Sequence, residues 1–513
     1  MTDWIAKAQA HRAKRDAAIP LGLLVDLKAA GVRALPEEPL PLAYSKTEPH
    51  RPEPTTIFAA DNVRSVPSKV LSLEDVAITE TPIDKLLSLL ATGKLSSVRC
   101  TEAFLRRAVL AHQLINCAID FFPEMALARA KECDEYLAKH AKTKGLLHGL
   151  PVSLKDQLLI KDTVATMGYV AWTDNVAMKN GVITDVLLKA GSVLVSSVIG
   201  PLTHSLEDVV TFMRAVLAER PWELDPILVS MPFNEEAYAL KNLQLKAASA
   251  EPTESFTQAQ TQLCFAIEWD DQIVHPHPPI TRALREVKEK LVAAGHKVID
   301  WVAHDHLRCY GIIGRICSAD GGQDIKRSCD EGGEPVMYNL MADGKQHAHF
   351  SVYESWQLNQ EKSKPLARDQ TGTGRPVDGI IASVSNWASC KHDLNDHVSY
   401  TTQWNLLDRP CVVFPVGFVD PDKDPKVALD EPYTALPGNV DQAYWDRYDP
   451  EEWNGRGCRS IFRWSASVCR MRSSAWPCQG DSGFWCYTAL KQARTVKTCV
   501  CVCHLRIIRG KNP

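Results

Sequence analysis

A lysine and an aspartate, Lys155-Asp156, close the run His148-Gly149-Leu150-Pro151-Val152-Ser153-Leu154. Gly149 and Pro151 mark a sharp turn into a new element, and Val152 to Leu154 reads as a short buried strand. That strand delivers Lys155 and Asp156 to its far end, where open α/β sheets place their chemistry. A lysine whose stem lies against apolar neighbours has its charge disfavoured by desolvation and falls below the free value of ~10.4, which suits a general base. The same spacing also fits two solvated charges that end a strand, since lysines are seldom buried. The residues alone leave both readings open.

The other chemistry-bearing groups are weaker candidates. Ser196-Ser197 follow a second apolar run, Gly191-Ser192-Val193-Leu194-Val195, and fit a cap on the loop before the next element. Cys499-Val500-Cys501-Val502-Cys503-His504 offers thiols at alternate positions, which is not the Cys-x-x-Cys geometry of a zinc site. Gly480-Asp481-Ser482-Gly483 is like the serine run of trypsin-like proteases, with nothing else in the chain to support that fold.

The elements that must position these groups alternate between helix and short strand, an α/β pattern. Residues 4–18 read as a helix, and residues 35–67 as a proline-dense stretch, a plain surface loop by default or an extended arm able to wrap a core or join a homodimer. Pro82 to Lys144 is helical in character, with Ile83, Leu86, Leu87 and Leu90 lining one segment and Phe104, Ala108 and Ala111 another, at spacings close to 3.6. A further helix falls near Asp185 to Ala190. Ser205 and Asp208 form a capping box, with Asp in place of Glu or Gln, that opens a helix through Leu217. Residues 282–294 form an amphipathic helix, followed by a strand at Lys297 to Trp301; Val377 to Ala382 and Val412 to Val416 read as core strands. Asp320-Gly321-Gly322-Gln323-Asp324 fits a turn joining two helices.

Several stretches, taken in order, resemble the amidase signature family, in particular its fungal acetamidase-type members. They are Ile78-Thr79-Glu80, Gly93 to Ser97, Leu114 to Cys117, the Lys155 run, Thr166-Met167-Gly168-Tyr169, Ile199 to Thr203 with Ser205 to Asp208, Asp320-Gly321-Gly322, Trp404 to Pro410 and Val413 to Val416. The resemblance covers roughly residues 1 to 453. It implies a mixed, twisted β-sheet sandwiched between α-helices and the hydrolysis of linear carboxamides to carboxylate and ammonia. Lys155 would be the base, acting through a bridging serine on a nucleophilic serine that forms an acyl-enzyme. Neither a metal nor an organic cofactor is implied, and the partner would be a small amide. For Asp320 to Asp324 the resemblance adds a second reading, a place near the substrate-entry side.

The chain departs from this pattern twice. The family carries its serines in a Gly-Gly-Ser-Ser-Gly-Gly run and an Asp-Ile-Gly-Gly-Ser run, and neither occurs here; Val195 passes through Ser196-Ser197 directly to Val198-Ile199-Gly200-Pro201-Leu202. An internal deletion near 195–198 is therefore expected, which leaves the sheet incomplete and the chain as written without activity: a pseudoenzyme or relic binding protein, or a miscalled intron in the gene of an active amidase. After Asn454 the family likeness stops. The stretch 454–513 carries Cys458, Cys469, Cys478, Cys486, Cys499, Cys501 and Cys503, and Asp481 is its one acidic residue among many Lys and Arg. A disordered tail is expected there, with a reading-frame change or intron readthrough near Asn454 as its source. The expected division is thus 1–67 helix and arm, 68–453 amidase-signature domain, and 454–513 tail.

Bulk properties fit an ordinary globular chain. The 513 residues are 45% hydrophobic and 23% charged with net charge -4, which gives no sign of nucleic-acid or membrane binding. No apolar signal core or bilayer-length run is present, so a cytoplasmic chain with its sixteen cysteines reduced is expected.

Overall fold

Val193–Ser197 forms the middle strand of a three-stranded sheet in a computed structural model of the chain. The structure describes residues 3–27, 65–197, 202–203, 205–238, 263–303, 305–336, 349–363, 377–388, 397–407, 409, 411–426, 440–450, 465–469 and 500–503. Nearly all of the proline-dense arm, the joint at 198–201 and most of the tail lie outside the described residues. The chain forms two compact units, Met1–Phe233 with Gly322–Gln346, and Asn234–Gly321 with His347–Pro513.

In the first unit, α1 is Asp3–Ala17, and the helical stretch resolves into α2 (Ile83–Ala91), α3 (Ser97–Ile115) and α4 (Pro123–His140), with the short β1 (Asp120–Phe121) before α4. Ser96 caps α3 by accepting from the Arg99 N–H at 3.1 Å, and Asn116 ends it in a left-handed conformation. The Asp134 carboxylate on α4 accepts from the free N–H groups of Ser97 and Val98, which ties the two helices together. β2 is Pro151–Leu154, α5 is Val182–Lys189 and β3 is Val193–Ser197; β3 pairs parallel with β2 and antiparallel with β1.

Helices cover this sheet on both sides. Leu154 and Leu194 pack with Leu86, Leu90, Cys100 and Leu187, whereas Val193 and Val195 pack with Leu105, Ala126 and Ala130. Each fully buried Leu or Val contributes about 1.5–3 kcal/mol of transfer free energy. The capping box at Ser205 and Asp208 is present and opens α6 (Leu206–Ala218).

The second unit is built on β4 (Cys264–Glu268), a strand buried throughout and so without an alternating pattern in sequence. β5 (Lys297–Trp301) and β6 (Gly379–Ser383) pair parallel with β4 on either side. The amphipathic α7 (Pro278–Ala293) packs Ile280, Ala283, Leu284, Val287 and Leu291 with Leu263, Phe265 and Ile267. Opposite, Cys264 and Ala266 pack with Trp301, Ile380 and Trp404. α8 (His306–Cys317) and α9 (Ser399–Leu406) follow, then β7 (Cys411–Pro415). Two segments of the tail are strands, β8 (Ser465–Cys469), antiparallel to both β6 and β7, and β9 (Val500–Cys503), antiparallel to β7. Gly321 and Gly322 are both at positive φ, and Gly322 directly precedes the helix Gln323–Gly332, which belongs to the first unit.

Candidate functional site

Lys155 is the first residue beyond β2 in the first unit, and it is half-buried. Two glycines fix the approach to it. Gly149 has φ +71° and a side chain there would collide with Ser97; Gly191 has φ +92° and a Cβ there would lie 2.9 Å from the His148 Cα. The backbone bonds Leu147 N–H to Ala190 O (2.8 Å), Gly149 N–H to Gly191 O (2.9 Å) and Val193 N–H to Leu150 O (2.9 Å) align β2 with β3. His148 is buried and accepts from the Lys144 N–H at Nδ1; burial depresses its pKa, so it serves as a neutral brace of this turn.

The strand register sets what lies around Lys155. Ser153 stands opposite Ser196 and Leu154 opposite Ser197. The Ser153 and Ser196 hydroxyls are hydrogen-bonded at 2.7 Å. Ser196 and Ser197 thus end a buried strand rather than capping a loop, because pairing on both sides, with Leu154 and with Asp120, holds them in the sheet. Side chains alternate along a strand, so Lys155 continues the Ser153 face. Among the described residues, the Lys155 ammonium group makes no hydrogen bond or ion pair.

Asp156 is 8% exposed and does not serve as a surface charge. Its Oδ2 accepts from the Thr166 N–H (3.1 Å), the Thr166 hydroxyl (2.7 Å) and the Met167 N–H (2.7 Å). These bonds hold the turn at Met167 and Gly168, whose φ values are +50° and +89°. Further along this segment, Glu334 Oε1 accepts from the Val170 N–H at 2.7 Å, and burial raises the Glu334 pKa. Asp120 lies opposite Ser197; burial pushes its carboxyl up, and the charge of Asp156 adds to that push. Lys155 and Asp156 both stand out in the sequence, whereas the role of the Asp156 carboxylate does not, since it acts on residues ten and eleven positions on. Among the described residues no group of His, Cys, Asp or Glu is arranged to hold a metal ion, and no helix is long and apolar enough to cross a membrane.

A family model described as Amidase matches residues 99–198 and 194–432, on both sides of the end of β3. The chain belongs to the amidase family. An acetamidase of Aspergillus oryzae is 30% identical over 76% of this chain and 87% of that protein. An acetamidase of Emericella nidulans is 29% identical over 80% and 91%. Among solved structures, a fatty acid amide hydrolase superposes with a TM-score of 0.76 at 23% identity, covering 96% of this chain and 95% of that one. The amidase fold, helices packed around mixed sheet, is therefore the one this chain adopts, and amide hydrolysis is the chemistry of its family. Lys155 lies within the first matched stretch.

Proposed function

We propose that this amidase site is built for small linear carboxamides of the acetamide kind, with Lys155 as its base. The observation that carries the reading is the position of Lys155, uncommitted at the end of β2, in a chain whose relatives include two acetamidases. In the family chemistry a lysine takes the proton of an attacking hydroxyl through a bridging serine. The hydroxyl oxygen bonds to the amide carbon, the C–N bond breaks, ammonia leaves with a proton, and water then releases the carboxylate. The substrate is a small molecule rather than a nucleic acid or a membrane, the setting is the cytoplasm, and the arm before residue 68 is suited to contacts in a homodimer.

A second reading concerns the chain as it stands. It lacks both serine runs of the family, and the two matched stretches meet at 194–198, where those runs are missing. Ser196, the hydroxyl nearest in register, is 2% exposed and already bonded to Ser153, and the sequence carries no glycine-serine run of the kind that supplies the family's oxyanion site. Lys155 is then a base without its nucleophile, and the chain is a pseudoenzyme. Ammonia release from acetamide, followed for the full chain and for Lys155→Ala, decides between the two. Equal rates at the buffer background support the pseudoenzyme. Release that depends on Lys155 overturns it and makes the chain a working amidase.

A further inference from the structure

The second unit buries acids that the Lys155 site does not use. Glu268, the last residue of β4, is 0% exposed, and neither of its oxygens accepts a hydrogen bond among the described residues. From α8, His306 places Nδ1 3.5 Å from Glu268 Oε1, and His306 is itself buried. From the loop after β4 the charged groups are Asp270 and Asp271; from α9 the titratable group is Tyr400. These neighbours are otherwise engaged. Asp271 accepts from the N–H groups of Ile273 and Val274 and from the Ser399 hydroxyl, which also bonds His397 Nε2. Tyr400 donates its hydroxyl to Val274 O. The Trp404 ring, itself buried, stands edge-on to His306, with centroids 6.0 Å apart.

A bare carboxylate in such a place is strongly disfavoured, and removing its counter-group leaves an uncompensated charge. We propose that Glu268 and His306 hold one proton between them in the folded chain, which makes the carboxyl end of β4 a proton-linked latch on the second unit. Burial, with Asp271 and Asp270 beside it, pushes the Glu268 carboxyl well above its ordinary range, in the direction this requires. The titration belongs to the pair rather than to either residue.

The sign of the linkage follows from counting protons. Unfolded, the pair binds one proton between about pH 4.3 and about pH 6.5, the free values of Glu and His. Folded, it also binds one, so in that window the pair adds no pH dependence. Above about 6.5 the unfolded histidine releases its proton while the folded pair retains one, so stability falls as pH rises. Without His306, Glu268 alone retains a proton that the unfolded chain has lost, and the fall starts from about pH 4.3.

The test is denaturant unfolding of the full chain across this range for wild type, Glu268→Gln and His306→Gln. The latch requires that the wild-type midpoint fall more steeply than that of Glu268→Gln above about pH 6.5. It also requires that His306→Gln lose midpoint relative to wild type between about pH 4.3 and 6.5. Equal slopes in either comparison overturn it. Should a variant not fold, NMR of the wild type decides. The His306 ring and the Glu268 carboxyl carbon titrating in one step above neutral pH support the latch, and separate steps overturn it.

Discussion

The Ser153 and Ser196 hydroxyls bond to one another at 2.7 Å across the parallel pair of β2 and β3, two residues before Lys155. The register shift between Val152 and Ser153 brings them together, since Val152 is opposite Leu194 and Ser153 opposite Ser196. A hydrogen bond of this kind contributes about 0.5–1.5 kcal/mol net. Ser153→Ala and Ser196→Ala should each destabilise by about 1 kcal/mol, and the double variant by clearly less than their sum. Urea denaturation of the four chains measures the coupling. Full additivity would mean the two hydroxyls do not interact in solution.

Gly149 tests the other constraint on this strand. Its φ of +71° costs a side-chain-bearing residue about 1–2 kcal/mol, and the collision with Ser97 adds an overpacking penalty of about 1–3 kcal/mol. Gly149→Ala should therefore destabilise by at least about 2 kcal/mol. In Gly149→Ala with Ser97→Gly the collision is relieved while the backbone penalty remains, so part of the loss should return. A Gly149→Ala midpoint equal to wild type would mean that the turn has another conformation.

Asp156 has a position legible in sequence and a role that is not. Its carboxylate holds Thr166 and Met167 through three hydrogen bonds, so Asp156→Ala leaves those donors without an acceptor. Each buried unsatisfied donor costs about 1–3 kcal/mol, and with partial access of water a total loss of about 2–4 kcal/mol is expected. Asp156→Asn retains an acceptor oxygen and should lose less. Hydrogen exchange at the Met167 amide reports the effect locally. It should speed up strongly in Asp156→Ala and modestly in Asp156→Asn, and an unchanged rate would show that the carboxylate does not hold the turn.

Much of the fold was open to reading because its signals are local. The capping box at Ser205 and Asp208, the period of residues 282–294, and the strand at Lys297 to Trp301 each depend on residues within a few positions of one another. The same Asp208 also accepts from the Ile83 N–H at 3.1 Å, and nothing in the local pattern points to a partner that distant. β4 escaped notice because its residues are buried on both faces, so Cys264-Phe265-Ala266-Ile267 lacks the alternation that marks a half-exposed strand. Ser196 and Ser197 fit a loop cap by local pattern alone. Their pairing comes from β1 and β2, far off in sequence. At the site, Lys155 stands out by type and place, while the partners of the residues beside it, Thr166 and Met167 on Asp156 and Ser196 on Ser153, lie at sequence distances that local pattern does not reach.

His277 carries a pH dependence opposite in sign to that of the Glu268 latch. It is fully buried at the start of α7, its Nε2 lies 3.1 Å from Tyr444 O, and burial depresses its pKa from 6.5 to about 4. A histidine held neutral in the folded chain and charged in the unfolded one favours unfolding in acid. Its contribution is complete above the free value of 6.5 and is lost as pH falls toward about 4. The slope cannot exceed about 1.4 kcal/mol per pH unit for one proton, so the loss across this window is on the order of 2–3 kcal/mol. His277→Gln lacks the titrating group, and its denaturation midpoint should fall less than that of wild type between pH 6.5 and about 4. Parallel midpoints across that window would show that His277 binds a proton equally well folded and unfolded, which its burial against Tyr448 and Trp445 argues against.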